Sequence, residues 1–229
     1  MILAAHQPQY LPYLGLFAKL ARCDVFVLMD DVQFSRREWQ HRNRIRTAEG
    51  VRLLTVPVHA GVHTRIRDVL PADPGWLARH RRIVAYEYRA SRHLDRAEAL
   101  WAALRPVRGA SLSTICITAL RESMRFLGIT TPLTLQSELS PRPDGNADKD
   151  LRLLELCRLT GCAAYLSGPG GANYLRPALW RAAGVELRWH RFEPPDYPQL
   201  HPGWIPGLSV LDTILSLRDP GEILQGGRS

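Results

Sequence analysis

A histidine opens the segment HQPQYLPYLG at residues 6–15, directly after a short apolar run that is typical of a buried strand. The imidazole of His6 titrates near neutral pH, so this side chain could act as a general base or acid. Gln7 and Tyr10 could orient a substrate beside it. The alternative is a tight, proline-rich turn in which these side chains hydrogen-bond the local backbone.

Two carboxylates, Asp30 and Asp31, end a second apolar run, DVFVLMDD at residues 24–31. A carboxylate pair in this place could bind a metal, hold a substrate amine or orient His6. Solvation of the strand end and salt bridges to nearby arginines form the alternative. We assign Asp30 and Asp31 as candidate catalytic residues with His6, and we predict no metal site.

Arginines are concentrated at residues 36–52, which carry six of them against two glutamates. Such a patch suits an anionic partner, which could be a phosphate, a carboxylate or an acidic protein surface. In a strand, Gln40, Arg42 and Arg44 would share one face and Asn43 the other. The alternative is a solvated hairpin face. The substrate-binding residues predicted in and just before this region are Gln33, Arg37, Arg42, Asn43 and Arg44.

A glycine-rich loop, SGPGGANY at residues 167–174, follows a third apolar run and leads into a predicted helix. Its backbone N–H groups and the helix N-terminus could bind an anion, with Ser167, Gly168 and Tyr174 as substrate-binding residues. The segment matches neither of the glycine-rich nucleotide motifs, and Ser167 has no nucleophile-elbow context. A tight strand-to-helix turn is the alternative.

These segments require strands and helices that bring them to one edge of a sheet. Apolar runs at residues 2–5, 24–31, 131–139, 162–168 and 185–192 predict strands, and the strand–helix–strand opening is typical of a right-handed parallel unit. Periodic apolar spacing predicts helices from residue 13 and over 75–89, 92–104, 111–127, 149–161 and 172–183, with a short one near 208–215. Residues 39–58 predict a hairpin, to which residues 64–70 would add a third antiparallel strand. A polar loop is predicted at 140–148.

The order of these elements predicts an α/β fold, a three-layer α/β sandwich with a mostly parallel, Rossmann-like sheet. An antiparallel hairpin and a helical subdomain would be inserted at residues 39–130, within one domain over residues 1–229, and the tail from residue 193 would wrap it. In such folds ligands bind outside the carboxyl ends of the strands. The segments at residues 6–10, 30–34 and 167–174 should therefore meet there.

The composition narrows the class of protein. With 45% hydrophobic and 23% charged residues, the chain has the composition of a globular domain. No run reaches the roughly 18 apolar residues of a membrane span, and the N-terminus lacks signal-peptide features, so we expect a cytoplasmic protein. The net charge of +8 is modest and no recognition motif accompanies it, so we do not expect nucleic acid as a partner. The four cysteines form no C-x-x-C pair and are expected to be reduced core thiols. The only lysines are Lys19 and Lys149.

Six segments, taken in order, resemble the WbqC-like proteins. They are HQPQYLPYLG, DDVQFSRREWQHRNRI, LTVPV, YLSG…Y, YPQ and PGLSVLD, and they extend from about residue 2 into the tail. Proteins of this family occur among bacterial surface-polysaccharide and secondary-metabolite genes, so the resemblance implies a biosynthetic role. The first motif is also similar to that of the HxGH nucleotidylyltransferases. Leu16 follows Gly15 where those enzymes have their second histidine, so that similarity is incomplete.

Three hypotheses about function follow. The first is a biosynthetic transferase that forms an amide or ester bond on a thioester of coenzyme A or of a carrier protein's phosphopantetheine, or on a phosphate-bearing donor. His6 would be the base, Asp30 or Asp31 would hold the acceptor amine or orient His6, and the arginines would hold phosphate. The second is a nucleotidylyltransferase-like enzyme that uses Mg²⁺ with a nucleotide. The third is a non-catalytic partner in a biosynthetic assembly. The oligomeric state stays open.

Overall fold

The computed structural model describes residues 1–139 and 148–224. Its strands are β1 Ile2–His6, β2 Val25–Leu28, β3 Arg42–Thr47, β4 Gly50–Thr55, β5 Val58–His59, β6 Leu70–Pro71, β7 Leu133–Leu135, β8 Ala164–Ser167 and β9 Glu186–Trp189. Its α-helices are α1 Leu14–Leu20, α2 Trp76–Glu87, α3 Leu94–Leu104, α4 Leu112–Phe126, α5 Lys149–Thr160, α6 Pro177–Ala182 and α7 Val210–Ser216. The predicted loop at 140–148 lies outside the described residues, apart from Asp148.

Five parallel strands form the central sheet, in the order β7-β2-β1-β8-β9. The inner strands β1, β2 and β8 are almost entirely buried, which explains their continuous apolar runs. Because the strands are parallel, β1 and β8 end at the same edge, at His6 and Ser167. The α/β fold with a mostly parallel sheet, a hairpin and a helical insertion is confirmed.

The hairpin of β3 and β4 pairs Arg42 with Thr55 and closes at Thr47 and Gly50, as predicted. Along the first half of β3, half-buried Arg42 and Arg44 alternate with buried Asn43 and Ile45. The predicted third strand at residues 64–70 forms only at its end, where Leu70 begins β6 and pairs antiparallel with His59 of β5. Residues 66–68 form a 3₁₀ turn instead, and the amides of Ile66 and Arg67 donate to the carbonyls of Val32 and Asp30, in the segment that follows β2.

Helices α2, α3 and α4 lie where the sequence predicts them, and they pack with the hairpin and α7 around one apolar cluster. The predicted helix at 172–183 is shorter in the structure. A 3₁₀ turn at Pro169–Asn173 precedes α6, and Arg176, which stands before Pro177, is extended rather than helical. The described part of the chain contains no helix that is both long and apolar enough to span a bilayer.

Candidate functional site

A cavity of about 580 Å³ lies at the edge of the sheet where β1 and β8 end. Residues from β1, α1, α5, β8 and the glycine-rich loop form its wall, and His190 closes it from the end of β9. The described residues that line it include three cations, Lys19, Lys149 and Arg152, and one carboxylate, Glu38. The excess of positive charge makes this cavity suitable for an anionic ligand.

His6 is part of the cavity wall, and its ring proton can be assigned. Nδ1 lies 2.9 Å from the carbonyl oxygen of Gln7. A carbonyl only accepts hydrogen bonds, so Nδ1 carries the proton and Nε2 keeps its lone pair. Burial and then the charge of Lys19 lower the pKa of His6 to about 4, which makes the ring neutral at neutral pH. A neutral imidazole of this tautomer can accept a proton at Nε2.

Lys19 lies in α1, a helix buried on all sides, and its residue is 5% exposed. Its Nζ donates to the carbonyl oxygen of Ala5 at 3.0 Å, and within the described residues it forms no salt bridge. Burial lowers the pKa of Lys19 to about 8, since the ammonium has lost its water without gaining a carboxylate. A bound anion would supply the missing counter-charge.

The second lysine of the chain reaches the same cavity. Lys149 begins α5, and its Nζ lies 4.5 Å from the ring centroid of Tyr174. Thus both lysines of a chain with 30 Lys and Arg residues line one cavity. A lysine offers a compact, rotatable charge, whereas an arginine offers a planar fork.

The glycine-rich loop forms one side of the cavity and requires small residues. Ser167 is buried, and its Oγ donates to the carbonyl oxygen of Gly168 at 3.1 Å. A Cβ at Gly171 would lie 2.0 Å from that Oγ, so only glycine fits this position without rearrangement. Ser167, Gly168 and Tyr174, predicted from the sequence as substrate-binding residues, all line the cavity.

A second imidazole and an aromatic ring complete the wall. Nη1 of Arg22 lies 3.4 Å from Nδ1 of His190, and a guanidinium only donates, so the ring proton of His190 is on Nε2. That buried Nε2 has no hydrogen-bond partner among the described residues. Burial and the charge of Arg22 lower the pKa of His190 to about 4. Tyr13, 41% exposed, lies over Gly15, where a Cβ would come within 2.3 Å of its ring.

A second, more polar cavity of about 420 Å³ shares Gln7 and Arg152 with the first. Gln33 and Asp31 line it, together with Arg65. The predicted substrate-binding residues Gln7 and Gln33 therefore both border a cavity. Of the predicted catalytic residues, His6 borders the first and Asp31 the second.

The roles predicted for the two carboxylates need correction. Asp30 is buried and accepts hydrogen bonds from the amide and the hydroxyl of Ser137, at 3.0 and 2.6 Å, and it lines neither cavity. One oxygen of Asp31 lies 2.9 Å from Nη1 of Arg65 and 2.8 Å from Nε of Arg67. Both carboxylates are already neutralised or hydrogen-bonded, so neither is available to hold a substrate amine or to orient His6.

Two predicted substrate-binding residues belong to the core instead. Tyr10 is fully buried, and its hydroxyl hydrogen-bonds Nδ1 of His80 at 2.9 Å. Asn43 is buried as well, and its Nδ2 donates to the carbonyl oxygens of Tyr10 and Leu11. Leu11 has a φ of +45°, so Asn43 stabilises a strained turn. These side chains hold the HQPQYLPYLG segment in place and cannot touch a ligand.

The predicted arginine row also lies elsewhere. Arg42 and Arg44 approach the ring of Trp39, at 6.0 and 5.5 Å from its centroid, and Nη2 of Arg44 donates to the carbonyl oxygen of Gly207. The carbonyl oxygen of Arg37 accepts a hydrogen bond from Nη2 of Arg42. None of the three arginines lines either cavity. They form a separate surface around Trp39.

The cysteines contribute no nucleophile to the site. All four are buried and free, as the sequence predicts. Burial raises the pKa of Cys23 and Cys157 to about 12, and that of Cys116 still further, so these thiols stay protonated near neutral pH. Within residues 1–139 and 148–224, no group of three or more His, Cys, Asp or Glu side chains could hold a metal ion.

Among the residues of the first cavity that sequence reasoning missed are its three cations and its second imidazole, which are Lys19, Lys149, Arg152 and His190. The scarcity of lysine was a usable signal for the first two. Arg152 and His190 are placed by the packing of α5 and β9, and no local motif marks them.

The fold and site define an α/β protein with a positively charged cavity at the carboxyl edge of a parallel sheet, containing a neutral imidazole and a buried lysine. The family model described as "WbqC-like protein family" matches residues 7–220, and the chain belongs to that family. It is similar to the uncharacterized protein Rv1507c of Mycobacterium tuberculosis, with 31% identity over 220 residues that cover 92% of this chain and 91% of that protein. No solved structure matches the chain.

Proposed function

We propose that this protein is a biosynthetic transferase that moves an acyl or aminoacyl group from an activated, anionic donor to an amine or hydroxyl acceptor. The observation that carries the proposal is the pairing, in one cavity, of a neutral His6 with a buried Lys19 that has no carboxylate partner among the described residues. The first group can move a proton and the second can hold negative charge.

In the proposed reaction, Nε2 of His6 takes the proton from the acceptor as its nitrogen or oxygen attacks the acyl carbon. A new C–N or C–O bond forms, and the C–S bond of a thioester or the C–O bond of an acyl phosphate breaks. The proton then passes from His6 to the departing thiolate or phosphate. Lys19 stabilises the anionic group of the donor or the oxyanion that develops.

Anion binding should also make His6 a better base. Burial keeps the pKa of His6 low, and the charge of Lys19 lowers it further. A negative group bound at Lys19 would offset that charge and raise the pKa of His6 towards neutrality. The donor would thus activate the base for its own reaction.

The size and lining of the cavity suit the end of a thioester-bearing cofactor. Its volume of about 580 Å³ lies within the usual range for small-molecule sites. Apolar side chains such as Leu16, Met29 and Leu153 line it next to the cations. A coenzyme A thioester or a carrier-protein phosphopantetheine thioester joins phosphate to a long arm whose methylene and methyl groups could pack on these apolar side chains. The arginine surface around Trp39 would suit an acidic carrier protein.

The proposal can be tested without knowing the substrate in advance. Mass spectrometry of pathway intermediates that accumulate when the gene is deleted identifies the acceptor, and the purified chain is then assayed for its conversion. We expect His6→Asn to lower the rate by about 10²–10⁴-fold, since asparagine can still donate to the Gln7 carbonyl but lacks Nε2. The matched control is His59→Asn, at an exposed position outside both cavities. Unchanged conversion by His6→Asn would overturn the proposed mechanism.

One observation favours the nucleotidylyltransferase alternative. The HxGH similarity lacks its second histidine in sequence, yet His190 brings a second imidazole to the cavity that contains His6 and Gly15. If this alternative is correct, ATP, CTP, GTP or UTP with Mg²⁺ should raise the melting temperature of the protein. A melting temperature unaffected by all four nucleotides would exclude it. A non-catalytic partner would instead be distinguished by a His6→Asn chain that restores product formation in the deletion strain.

A further inference from the structure

The orientation of the Gln7 side chain is determined by a relay of hydrogen bonds. The backbone amide of Ser35 donates to Oε1 of Gln40 at 2.8 Å, and an amide N–H cannot accept. The carbonyl side of Gln40 therefore faces Ser35, and its Nε2 donates to Oε1 of Gln7 at 2.6 Å. The Nε2 group of Gln7 is then the end of the relay.

Gln7 stands in the wall that the two cavities share. Its Nε2 forms no hydrogen bond with any described residue, so two N–H donors are held in a known direction without an acceptor in residues 1–139 and 148–224. Gln40, which fixes this arrangement, is 1% exposed and cannot turn to solvent. A rigid donor between two cavities is suited to a ligand group that lies across the junction.

The second cavity carries its own charge. Arg65 is half-exposed, and its Nη1 is held at 2.9 Å from an oxygen of Asp31, whose side chain is 2% exposed. Arg67 approaches the same oxygen from outside the cavity, at 2.8 Å. The carboxylate of Asp31 therefore faces two guanidinium groups, so the positive charge around it exceeds the negative charge among the described residues. A cationic amine would be repelled there, whereas an anion would be attracted.

We propose that this second cavity binds the carboxylate or phosphate group of a second substrate. Arg65 is the ionic ligand, Asp31 is the positioning residue that orients Arg65, and Nε2 of Gln7 donates to the ligand at the junction. The inference rests on the proposed function in one respect, because it assigns the donor to the first cavity and the acceptor to the second. The acceptor is therefore an anion-bearing molecule whose attacking amine or hydroxyl reaches past Gln7 towards His6.

Nuclear magnetic resonance of the ¹⁵N-labelled full chain tests this assignment, with inorganic phosphate and acetate as separate probes. We expect at least one probe to shift the Nε–H signal of Arg65 and the Nε2 signals of Gln7 in a saturable manner. A response to phosphate alone indicates a phosphate-bearing substrate, and a response to acetate alone a carboxylate. Arg65→Gln should weaken the response of Gln7 by about tenfold or more, since a charge-assisted hydrogen bond is lost. In that variant Arg67 still neutralises Asp31, so folding should persist.

Arg82→Gln is the matched control, because Arg82 is exposed on α2, lines neither cavity and carries the same charge. The proposal is overturned if neither probe gives a saturable shift, or if Arg82→Gln weakens binding as much as Arg65→Gln. Lys19→Met distinguishes anion binding in the second cavity from binding in the first, since it should leave the probe-induced shift of the Arg65 Nε–H signal unchanged. Anion binding at Arg65 in a protein whose His6→Asn variant retains full activity would support this site and contradict the proposed function.

Discussion

Two buried polar regions of this protein differ in how completely their groups are satisfied. In the first, behind the hairpin, the carboxylate of Asp212 accepts hydrogen bonds from the hydroxyls of Tyr88 and Tyr197, each at 2.7 Å. Arg46 lies beside them, and its terminal nitrogens donate to the carbonyls of Thr47, Gly50, Pro202 and Gly203. Only its Nε lacks a partner among the described residues.

In the second region, at the carboxyl edge of the sheet, polar groups are buried with few partners. Lys19 has one carbonyl and no carboxylate, and Nε2 of His190 has no partner among the described residues. Buried polar groups without partners cost free energy, and proteins keep them mainly where a ligand completes them. The contrast indicates that the network around Asp212 stabilises the fold, while the polar groups at the sheet edge are buried at a cost in stability, as the proposed ligand site would require.

The largest effect should come from breaking the satisfied network. Asp212→Ala leaves the hydroxyls of buried Tyr88 and partly buried Tyr197 without their acceptor and a void beside α7, so we expect the free energy of unfolding to fall by about 3 kcal/mol. Urea denaturation measures this, with Asp196→Ala, exposed on the tail, as the control. Anion binding at the sheet edge should be unchanged in folded protein. A loss similar to that of the control would show that the network contributes little.

A smaller loss is expected from crowding the glycine-rich loop. Gly171→Ala places a methyl group 2.0 Å from Oγ of Ser167 and should lower the free energy of unfolding by about 1–3 kcal/mol. It should also weaken phosphate binding in the first cavity. Gly170→Ala is a closely matched control, since a Cβ there meets no atom within 4 Å. If the two variants had equal stability and equal phosphate affinity, the loop would have to rearrange at little cost to accommodate the methyl group at residue 171.

The same contrast explains what the sequence could reveal about the fold. Parallel strands and the helices α2 to α5 were predictable because their apolar spacing reflects burial directly, and α5 ends at Gly161 with a φ of +66°. The 3₁₀ turn at residues 66–68 was not predictable, because hydrogen bonds to the chain after β2, more than 30 residues away, override the local pattern. The break before α6 could have been predicted from Pro177, which disfavours a helical Arg176.

The candidate site was predictable only in outline. The carboxyl ends of β1 and β8 brought His6, Ser167 and Gly168 to one cavity, as the rule for parallel sheets implies. The hydrogen bond from Ser137 to Asp30 joins residues that are 107 positions apart, and no local sequence pattern predicts it. Lys19 was hidden for a related reason, because a lysine in a helix normally faces water, and here the whole helix is buried.

Lys19→Met tests whether the sheet edge gives up stability for binding. Methionine fills similar volume without a buried charge, so we expect the free energy of unfolding to rise by about 1–3 kcal/mol. Binding of inorganic phosphate in the first cavity should weaken by about tenfold or more. The pKa of His6 should rise, since the charge of Lys19 lowers it. Calorimetry and histidine proton titration measure these effects, and a destabilised variant with unchanged phosphate affinity would contradict the comparison.

The smallest effect is the pH dependence of stability that comes from His80, a buried histidine whose two ring nitrogens are both hydrogen-bonded. Nε2 of His80 donates to the carbonyl of Thr55, Nδ1 accepts from Tyr10, and burial lowers the pKa of His80 to about 4. The unfolded chain binds a proton near pH 6.5, so stability is complete above that pH and falls as pH drops from about 6.5 to about 4.

The contribution of His80 to the slope of the free energy of unfolding against pH should be about 1.4 kcal/mol per pH unit over this range. His6 and His190 should add to that slope, because their pKa values are lowered to about 4 as well. Urea denaturation between pH 4.5 and 7.5 measures the total slope. His80→Gln should lower the slope by the contribution of one proton, although the variant is less stable at every pH. An anion in the first cavity should reduce the contributions of His6 and His190, whose pKa values the charge of Lys19 lowers, and leave that of His80 unchanged. A slope that responds to phosphate equally in wild type and in a chain with both His6→Asn and His190→Asn would show that the two regions are not distinct.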